Sequence, residues 1–356
     1  MSPIELSAAE LFDAFPEPVL LLRDGLVRYH NPSAQRLFPD LGEDTPMPGP
    51  LADALPEPHG PAAASFRLDG ATCRLRSQDT DQGLFLFLAP EAPDSPPLRL
   101  DRLTLRLRQE TAGLSAALQR LDAIPPDGAR AKQYLSVANQ RLYRLLRLCD
   151  HLEFLDKPDS GIFHPAPMDL AGCLNELSLQ LEDVCGMAGR RFRWASDLSS
   201  LLTVGDAALL RRLVLSLVSN ALKAAGADSP ITLKLSKDRG RAVLTVSDSG
   251  PGMDADSLSR LFGGEAVSPP GLSPEEGLGL GLDAVRRIAA LHGGTVLVES
   301  RPGEGLRAVV SLPIRPLEPD MTLRTPKLDY TGGFSPLLVE LSDVLPTALY
   351  SPEDLD

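Results

Sequence analysis

The stretch Gly277-Leu-Gly-Leu-Gly-Leu282 sets three glycines at alternate positions directly ahead of a helical pattern that runs to about Leu291. Glycine lets backbone amides approach phosphate oxygens without side-chain obstruction. The helix that follows adds its unpaired N–H groups and its positive dipole end. Taken alone, such a run serves many structural ends, and two other segments give it meaning. Asp206-Ala-Ala-Leu-Leu-Arg-Arg-Leu-Val-Leu-Ser-Leu-Val-Ser-Asn-Ala-Leu-Lys223 is a long amphipathic helix that carries Asn220 and Lys223. Asp248-Ser-Gly-Pro-Gly-Met253 follows directly on the strand-like Ala242-Val-Leu-Thr-Val-Ser247. Each has a plain reading by itself: an Asx turn for Asp248, a tolerated polar position for Asn220, a solvated charge for Lys223.

Working outward, Ile231-Thr-Leu-Lys-Leu235 and the Ala242 strand flank a turn at Asp238-Arg-Gly240, and Thr295–Ser300 and Leu306–Leu312 complete a sheet. The C-terminal half therefore reads as an α+β layer sandwich. Upstream, Leu103, Leu107, Leu114, Leu118 and Leu121 share one helix face until Ile124-Pro-Pro-Asp-Gly128 breaks the pattern. A second helix runs from about Ala129 to Leu155, with Leu135, Leu142, Leu145, Leu146, Cys149 and Leu152 expected on its inner side. One helical hairpin alone leaves an apolar stripe exposed, so two chains are expected to pair into a four-helix bundle.

The first 90 residues carry hairpin signals. Pro18–Arg23 and Leu26–Tyr29 flank Asp24-Gly25, and Ser65–Leu68 and Thr72–Arg76 flank Asp69-Gly70, with Gly83–Leu88 as a further strand. Residues 39–63, rich in proline and acid, are expected to be irregular.

Composition narrows the function. Net charge is −13 with no dense basic run, which argues against nucleic acid or anionic membrane as partner. No apolar run approaches the ~20 residues of a membrane span, and the start lacks a signal peptide, so a cytoplasmic location is expected. Cys73, Cys149, Cys173 and Cys185 lack metal-ligand spacing and read as reduced core thiols. The tail, 317–356, holds eight Asp/Glu against Arg324 and Lys327, with a helix-like stretch bearing Leu337, Leu338, Leu341, Val344 and Leu345. Those leucines could pack back onto the preceding domain or dock a partner.

In combination, the three motifs resemble the GHKL (Bergerat-fold) ATPase superfamily over about 110 residues. The hairpin, and the run Tyr134–Leu148 that is similar to a second dimerisation helix, point within it to sensor histidine kinases. The N-terminal region, with Phe15-Pro-Glu-Pro-Val-Leu-Leu-Leu-Arg-Asp-Gly25 and Tyr29-His-Asn-Pro-Ser-Ala34, resembles a small PAS sensor domain. The resemblance implies a multidomain α+β chain. Its parts would be a PAS-like domain (9–92), a dimerisation hairpin (98–157), an ATP-binding α/β sandwich (165–314) and an acidic tail (317–356). It further implies ATP and Mg²⁺ as cofactors. Asn220 would hold Mg²⁺ and Lys223 a phosphate. Asp248 would accept from the adenine amino group in a pocket shaped by Gly250 and Gly252. Gly277, Gly279 and Gly281 would line the phosphates, and Phe262 would belong to a lid over 263–276.

Two positions depart from the family. Aligning Leu114 with the family leucine puts Arg108 where the phosphoacceptor histidine belongs and Gln109 where an acid belongs. A guanidinium cannot serve as that nucleophile at neutral pH. None of the five histidines, His30, His59, His151, His164 and His292, lies between 98 and 128; His151 alone sits on the hairpin. Ser216 stands one turn before Asn220, where hydrolytic relatives carry a glutamate base. The sequence therefore leaves three readings. The first is an ATP-binding dimeric regulator that is degenerate at the phosphoacceptor. The second is a working kinase that phosphorylates a histidine or a partner protein. The third is a module that docks a response-regulator receiver. A homodimer, and a response regulator or partner kinase, are the partners these readings expect.

Overall fold

The computed structural model describes residues 12–13, 17–54, 62–68, 71–80, 83–90, 100–122, 128–156, 159–226, 229–254, 257–258, 280–317 and 334–351. The first hairpin joins β1 (Val19–Arg23) to β2 (Leu26–His30) through Asp24 and Gly25, both at positive φ (55° and 76°). That two-residue turn follows the natural twist of paired strands. Buried Asn31 then fixes α1 (Pro32–Leu37) to the hairpin. Its Oδ1 accepts from Val19 N (3.0 Å) and Ala34 N (2.9 Å), while Nδ2 donates to Phe12 O (3.1 Å) and Glu17 O (2.8 Å). The stretch expected to be irregular contains a short helix, α2 (Gly49–Ala54), and the next strand begins before Ser65. β3 (Ala62–Leu68), β4 (Ala71–Thr80) and β5 (Gly83–Pro90) form an antiparallel meander, and β5 closes beside β1. Residues 69–70, the second Asp-Gly turn, lie outside the described residues.

Helices α3 (Leu100–Asp122) and α4 (Ala129–Asp156) pack against each other as the hairpin. The inner face of α4 is the expected one only in part, since Leu146 packs against the core. Ala131, Ser136, Gln140, Tyr143, Arg147, His151 and Phe154 are buried, whereas Leu135 and Leu142 are 36% and 37% exposed and Cys149 is exposed. Leu118 on α3 is exposed as well. The leucine periodicity marked a real stripe, but the face that packs within the chain is a polar-aromatic one beside it. Cys73, Cys173 and Cys185 are buried thiols; Cys149 is the departure from the core reading.

The C-terminal unit contributes β6 (Ala166–Asp169), α5 (Leu170–Met187), β7 (Phe192–Ser196), β8 (Leu202–Gly205), α6 (Ala207–Ala224), β9 (Ile231–Asp238), β10 (Arg241–Ser247), α7 (Leu280–Leu291), β11 (Thr295–Arg301) and β12 (Gly305–Pro313). Asp169 and Asp206 cap α5 and α6, accepting from Gly172 N and Leu209 N. The β9–β10 turn sits on Arg239 and Gly240 at positive φ. Helices α5, α6 and α7 bury their apolar sides against Ile231, Leu233, Leu244, Val246, Val296 and Val310.

Both units share one ten-stranded sheet, in the order β2-β1-β5-β4-β3-β11-β12-β10-β9-β7. The junction is antiparallel, with Ser65, Ala64, Ala63 and Ala62 opposite Val296, Leu297, Val298 and Glu299. It explains the unbroken apolar runs of β11 and β12, since strands buried on both faces lose their polar alternation. Val296, Val298 and Val310 face the helices, while Leu297 and Val309 face the other way, into a cluster with Leu51, Ala64, Leu75 and Leu88. Each such side chain contributes roughly 1.5–3 kcal/mol on burial.

The end of the chain packs back between hairpin and C-terminal unit. Helix α8 (Pro336–Glu340) contacts both α4 and α6. Leu337, Leu341, Leu345 and Tyr350 are buried, and Tyr143 meets Phe334 and Tyr350 edge-on at ring-centroid distances of 5.3 and 5.2 Å. Gln140 Nε2 donates to Ser342 O and Leu345 O, and Tyr350 OH to Leu338 O. Glu340 lies 3.3 Å from Arg147 Nε, 3.1 Å from His151 Nε2 and 3.3 Å from Arg212 Nε. Burial alone would raise the Glu340 carboxyl; His151, Arg147 and Arg212 outweigh it and hold it down at about 2. Burial pushes His151 downward against the pull of Glu340. The imidazole is therefore neutral near pH 7 and donates to the carboxylate, leaving the guanidiniums to supply the positive charge.

Removing Glu340 strands Arg212 and leaves Arg147 with Asp343 alone, so Glu340→Ala should lose about 3–5 kcal/mol in urea denaturation at pH 7. Because the folded carboxyl titrates below its ordinary 4.5, its stabilisation is present above that pH and is lost as pH falls toward 2. The gap between wild type and variant should therefore shrink in acid. A gap that is unchanged at pH 3 would contradict the ion-pair account.

Candidate functional site

The loop after β10 is trapped between two neighbours. Asp248 N donates to Leu306 O (3.0 Å), Gly303 N to Pro251 O (2.7 Å) and Met253 N to Ser300 Oγ (2.9 Å), which itself donates to Gly305 O (2.7 Å). The loop thus interlocks with the β11–β12 turn. On its other side a Cβ on Gly250 would come within 2.7 Å of Ala224 O, at the end of α6. Gly252 (φ +66°) would put a Cβ 1.9 Å from Arg301 O, and Gly305 (φ +81°) one 2.1 Å from Asp248 O. These glycines let three backbones meet where no side chain fits.

Asp248 emerges from that lock nearly buried. Its Oδ1 accepts from Gly250 N (2.8 Å). Burial raises the carboxyl above its ordinary value, against the opposing pull of the Gly250 and Leu306 amides. Helix α6 passes alongside, and its Asn220 is exposed. Helix α7 packs on α6, and a Cβ on Gly281, in the first turn of α7, would stand 3.9 Å from Asn220 Oδ1. The fold therefore gathers Asn220 and Gly281, and holds Asp248, Gly250 and Gly252 in one rigid loop. Gly277, Gly279 and Phe262, and the segment 263–276, lie outside the described residues.

Lys223, one turn beyond Asn220, is engaged elsewhere: its Nζ is 3.3 Å from Asp343 Oδ2. Burial lowers its pKa, Arg147 adds to the lowering, and Asp343 opposes both. The same carboxylate takes Arg147 Nη1 (2.7 Å), Arg106 Nη2 (2.8 Å) and Arg144 Nε (3.5 Å). Asp343 is held well below the ordinary carboxylate range, because these cations outweigh its burial. Arg108 is an exposed residue of α3. Ser216 is buried in the core side of α6, its Oγ unpartnered among the described residues. His292 is structural. Its Nδ1 donates to Ile288 O (2.8 Å), so Nε2 accepts from Asp206 N (3.0 Å). The ring ties the end of α7 to the start of α6.

Sequence reading missed the cluster around Asp343 and Glu340. A signal existed in Arg141, Arg144, Arg147 and His151, a basic stripe at helical spacing along a leucine-rich helix, facing a chain whose tail is acidic.

Residues 205–316 match the family model described as histidine kinase-, DNA gyrase B-, and HSP90-like ATPase. The C-terminal unit is thus an ATPase-type domain of that class. The adaptive-response sensory kinase SasA of Parasynechococcus marenigrum is 33% identical over 257 residues, 69% of this chain and 65% of that protein. The probable sensor histidine kinase TcrY of Mycobacterium tuberculosis is 30% identical over 201 residues, 55% of this chain and 42% of that protein. The chain spans less than two thirds of the length of these two relatives. The histidine kinase ThkA, in complex with the response regulator TrrA, aligns with 87% of this chain and 99% of its own at a TM-score of 0.48 and 17% identity. Over the aligned segments the chain is similar to sensor histidine kinases. Among the described residues no helix is long and apolar enough to cross a membrane.

Two glycine variants separate backbone strain from close approach. Gly240 and Gly252 both have positive φ, but Gly240 faces open space. Gly240→Ala should cost about 1–2 kcal/mol. Gly252→Ala must also displace the Arg301 carbonyl and should cost distinctly more in urea melts. Equal losses would remove the interlock described above.

Proposed function

We propose that the chain binds ATP–Mg²⁺ at the Asp248–Asn220–Gly281 site and acts as a nucleotide-dependent dimeric regulator that does not autophosphorylate at the usual position. The residues fit the ligand. Asn220 offers an exposed carboxamide oxygen, a hard donor suited to Mg²⁺, and Gly281 leaves room beside it at the start of a helix, where anions are favoured. Asp248 Oδ2 would accept from the adenine amino group, and Gly250 and Gly252 shape the loop that presents it. Bound Mg²⁺ would neutralise phosphate charge. Gly277, Gly279 and Phe262 complete the site in this reading, and Lys223 reaches a phosphate.

The observation that carries the degenerate reading is the hairpin itself. Alignment of Leu114 with the family leucine places Arg108 at the acceptor position on α3, and His151, the hairpin's one histidine, is buried against Glu340. Ser216, buried in the core, offers no base toward the nucleotide. A second reading, transfer to a histidine or other residue of a partner protein, is favoured by the kinase relatives; positioning and charge, not a protein nucleophile, carry most of phosphoryl transfer. In both readings the N-terminal unit is PAS-like and the hairpin pairs with a second copy. The module that docks a receiver is the third, and gains nothing from the observed geometry.

Incubation with γ-labelled ATP and Mg²⁺, alone and with lysate of the same cells, tests the proposal. ATP should bind without labelling either the chain or a lysate protein, and Asp248→Asn should weaken binding roughly tenfold to hundredfold. Label on the chain sinks the degenerate reading; label on a lysate protein makes the second reading correct. The exposed Leu118, Leu135 and Leu142 give the dimer its test: Leu142→Glu should shift a dimer to monomer in light scattering, and a wild-type monomer at micromolar concentration would refute the pairing.

A further inference from the structure

We infer that the C-terminal segment is an internal antagonist of the nucleotide site: Asp343 occupies the Lys223 ammonium that a nucleotide phosphate needs, so docking of residues 334–351 and binding of ATP oppose each other. The inference rests on the reading of Lys223 given above. Three observations support it. Asn220 and Lys223 lie three residues apart on α6, hence on neighbouring positions of one face, yet only Asn220 is directed to Gly281 while Lys223 Nζ pairs with Asp343 at 3.3 Å. The carboxylate is no casual surface contact, because Arg106, Arg144 and Arg147 bind it from α3 and α4. Finally, the segment that brings Asp343 there is anchored independently of Lys223. Leu337, Leu341, Leu345 and Tyr350 are buried, Gln140 holds Ser342 O and Leu345 O, and Glu340 pairs with Arg147 and Arg212.

A lysine shared in this way couples two equilibria. Whatever factor the docked carboxylate takes from ATP affinity, bound ATP must take from the docking of the tail, since coupling is reciprocal. Arg147 extends the effect, for its Nη2 also donates to Ser219 Oγ, next to Asn220 (3.3 Å). The tail thereby touches the helix that carries both proposed phosphate-side residues.

The test uses the full chain and ATP–Mg²⁺, with affinities by calorimetry for wild type, Asp343→Asn, Lys223→Met and the double variant. Asp343→Asn is near-isosteric and keeps the apolar anchors. It should tighten ATP by about fivefold or more, Lys223→Met should weaken ATP, and the gain from Asp343→Asn should vanish in the Lys223→Met background. Amide exchange of residues 337–345 should speed up when ATP–Mg²⁺ is added to wild type. If Lys223→Met weakens ATP but Asp343→Asn leaves it unchanged or weaker, the antagonism is wrong and the phosphate role of Lys223 stands. If Lys223→Met leaves ATP untouched, the phosphate role falls and the inference falls with it. Exchange at 337–345 that ATP leaves unchanged, or slows, also overturns the inference.

Discussion

Two carboxylates, Glu340 buried and Asp343 partly so, hold the three parts of this molecule against one another. Glu340 and Asp343 sit at the meeting of α3, α4, α6 and the tail, and each would be intolerable there without partners. Arg106, Arg144, Arg147, Arg212 and Lys223 face the same problem from the other side, and neither set could be buried without the other. Buried pairs of this kind contribute modest net stability, because desolvation consumes most of the attraction, but separating them is costly. The cluster therefore fixes where the hairpin lies on the ATPase-type domain.

A second constraint acts at the far edge of that domain. The β11–β12 ribbon is apolar on both faces, so it needs a cover on each, and the N-terminal unit supplies the one that α5–α7 do not. The same ribbon ends in the turn that locks the Asp248 loop. Strand pairing at Ala62–Ser65 and the geometry of the Asp248 loop are thus separated by a single step along β11, from Glu299 to Ser300.

Much of this was legible in the sequence, and for physical reasons. The Asp24-Gly25 and Arg239-Gly240 turns declared themselves because few residues accept positive φ. The helix carrying Asn220, the strand before Asp248 and the two hairpin helices were evident from periodicity. Gly250 and Gly252 were recognised as loop residues, although the reason each must be glycine, a carbonyl pressing from α6 or from Arg301, required coordinates. What sequence could not convey was long-range and polar. Nothing local links Ala62–Ser65 with Val296–Glu299, or Asp343 with Lys223, 120 residues away. The α4 leucines misled for a related reason: helical spacing finds a stripe but not what covers it, and here Tyr143, Arg147 and His151 face inward while Leu135 and Leu142 face out.

The shared sheet bears on how this protein can be divided. A fragment cut to the ATPase-type domain alone, by analogy with modular relatives, would lay bare Leu297 and Val309 and open the β11 edge that β3 now closes. Unpaired edges beside apolar surface invite association with other chains. The seam between the N-terminal and ATPase-type units is thus a structural joint, and the unit to express is the whole arrangement.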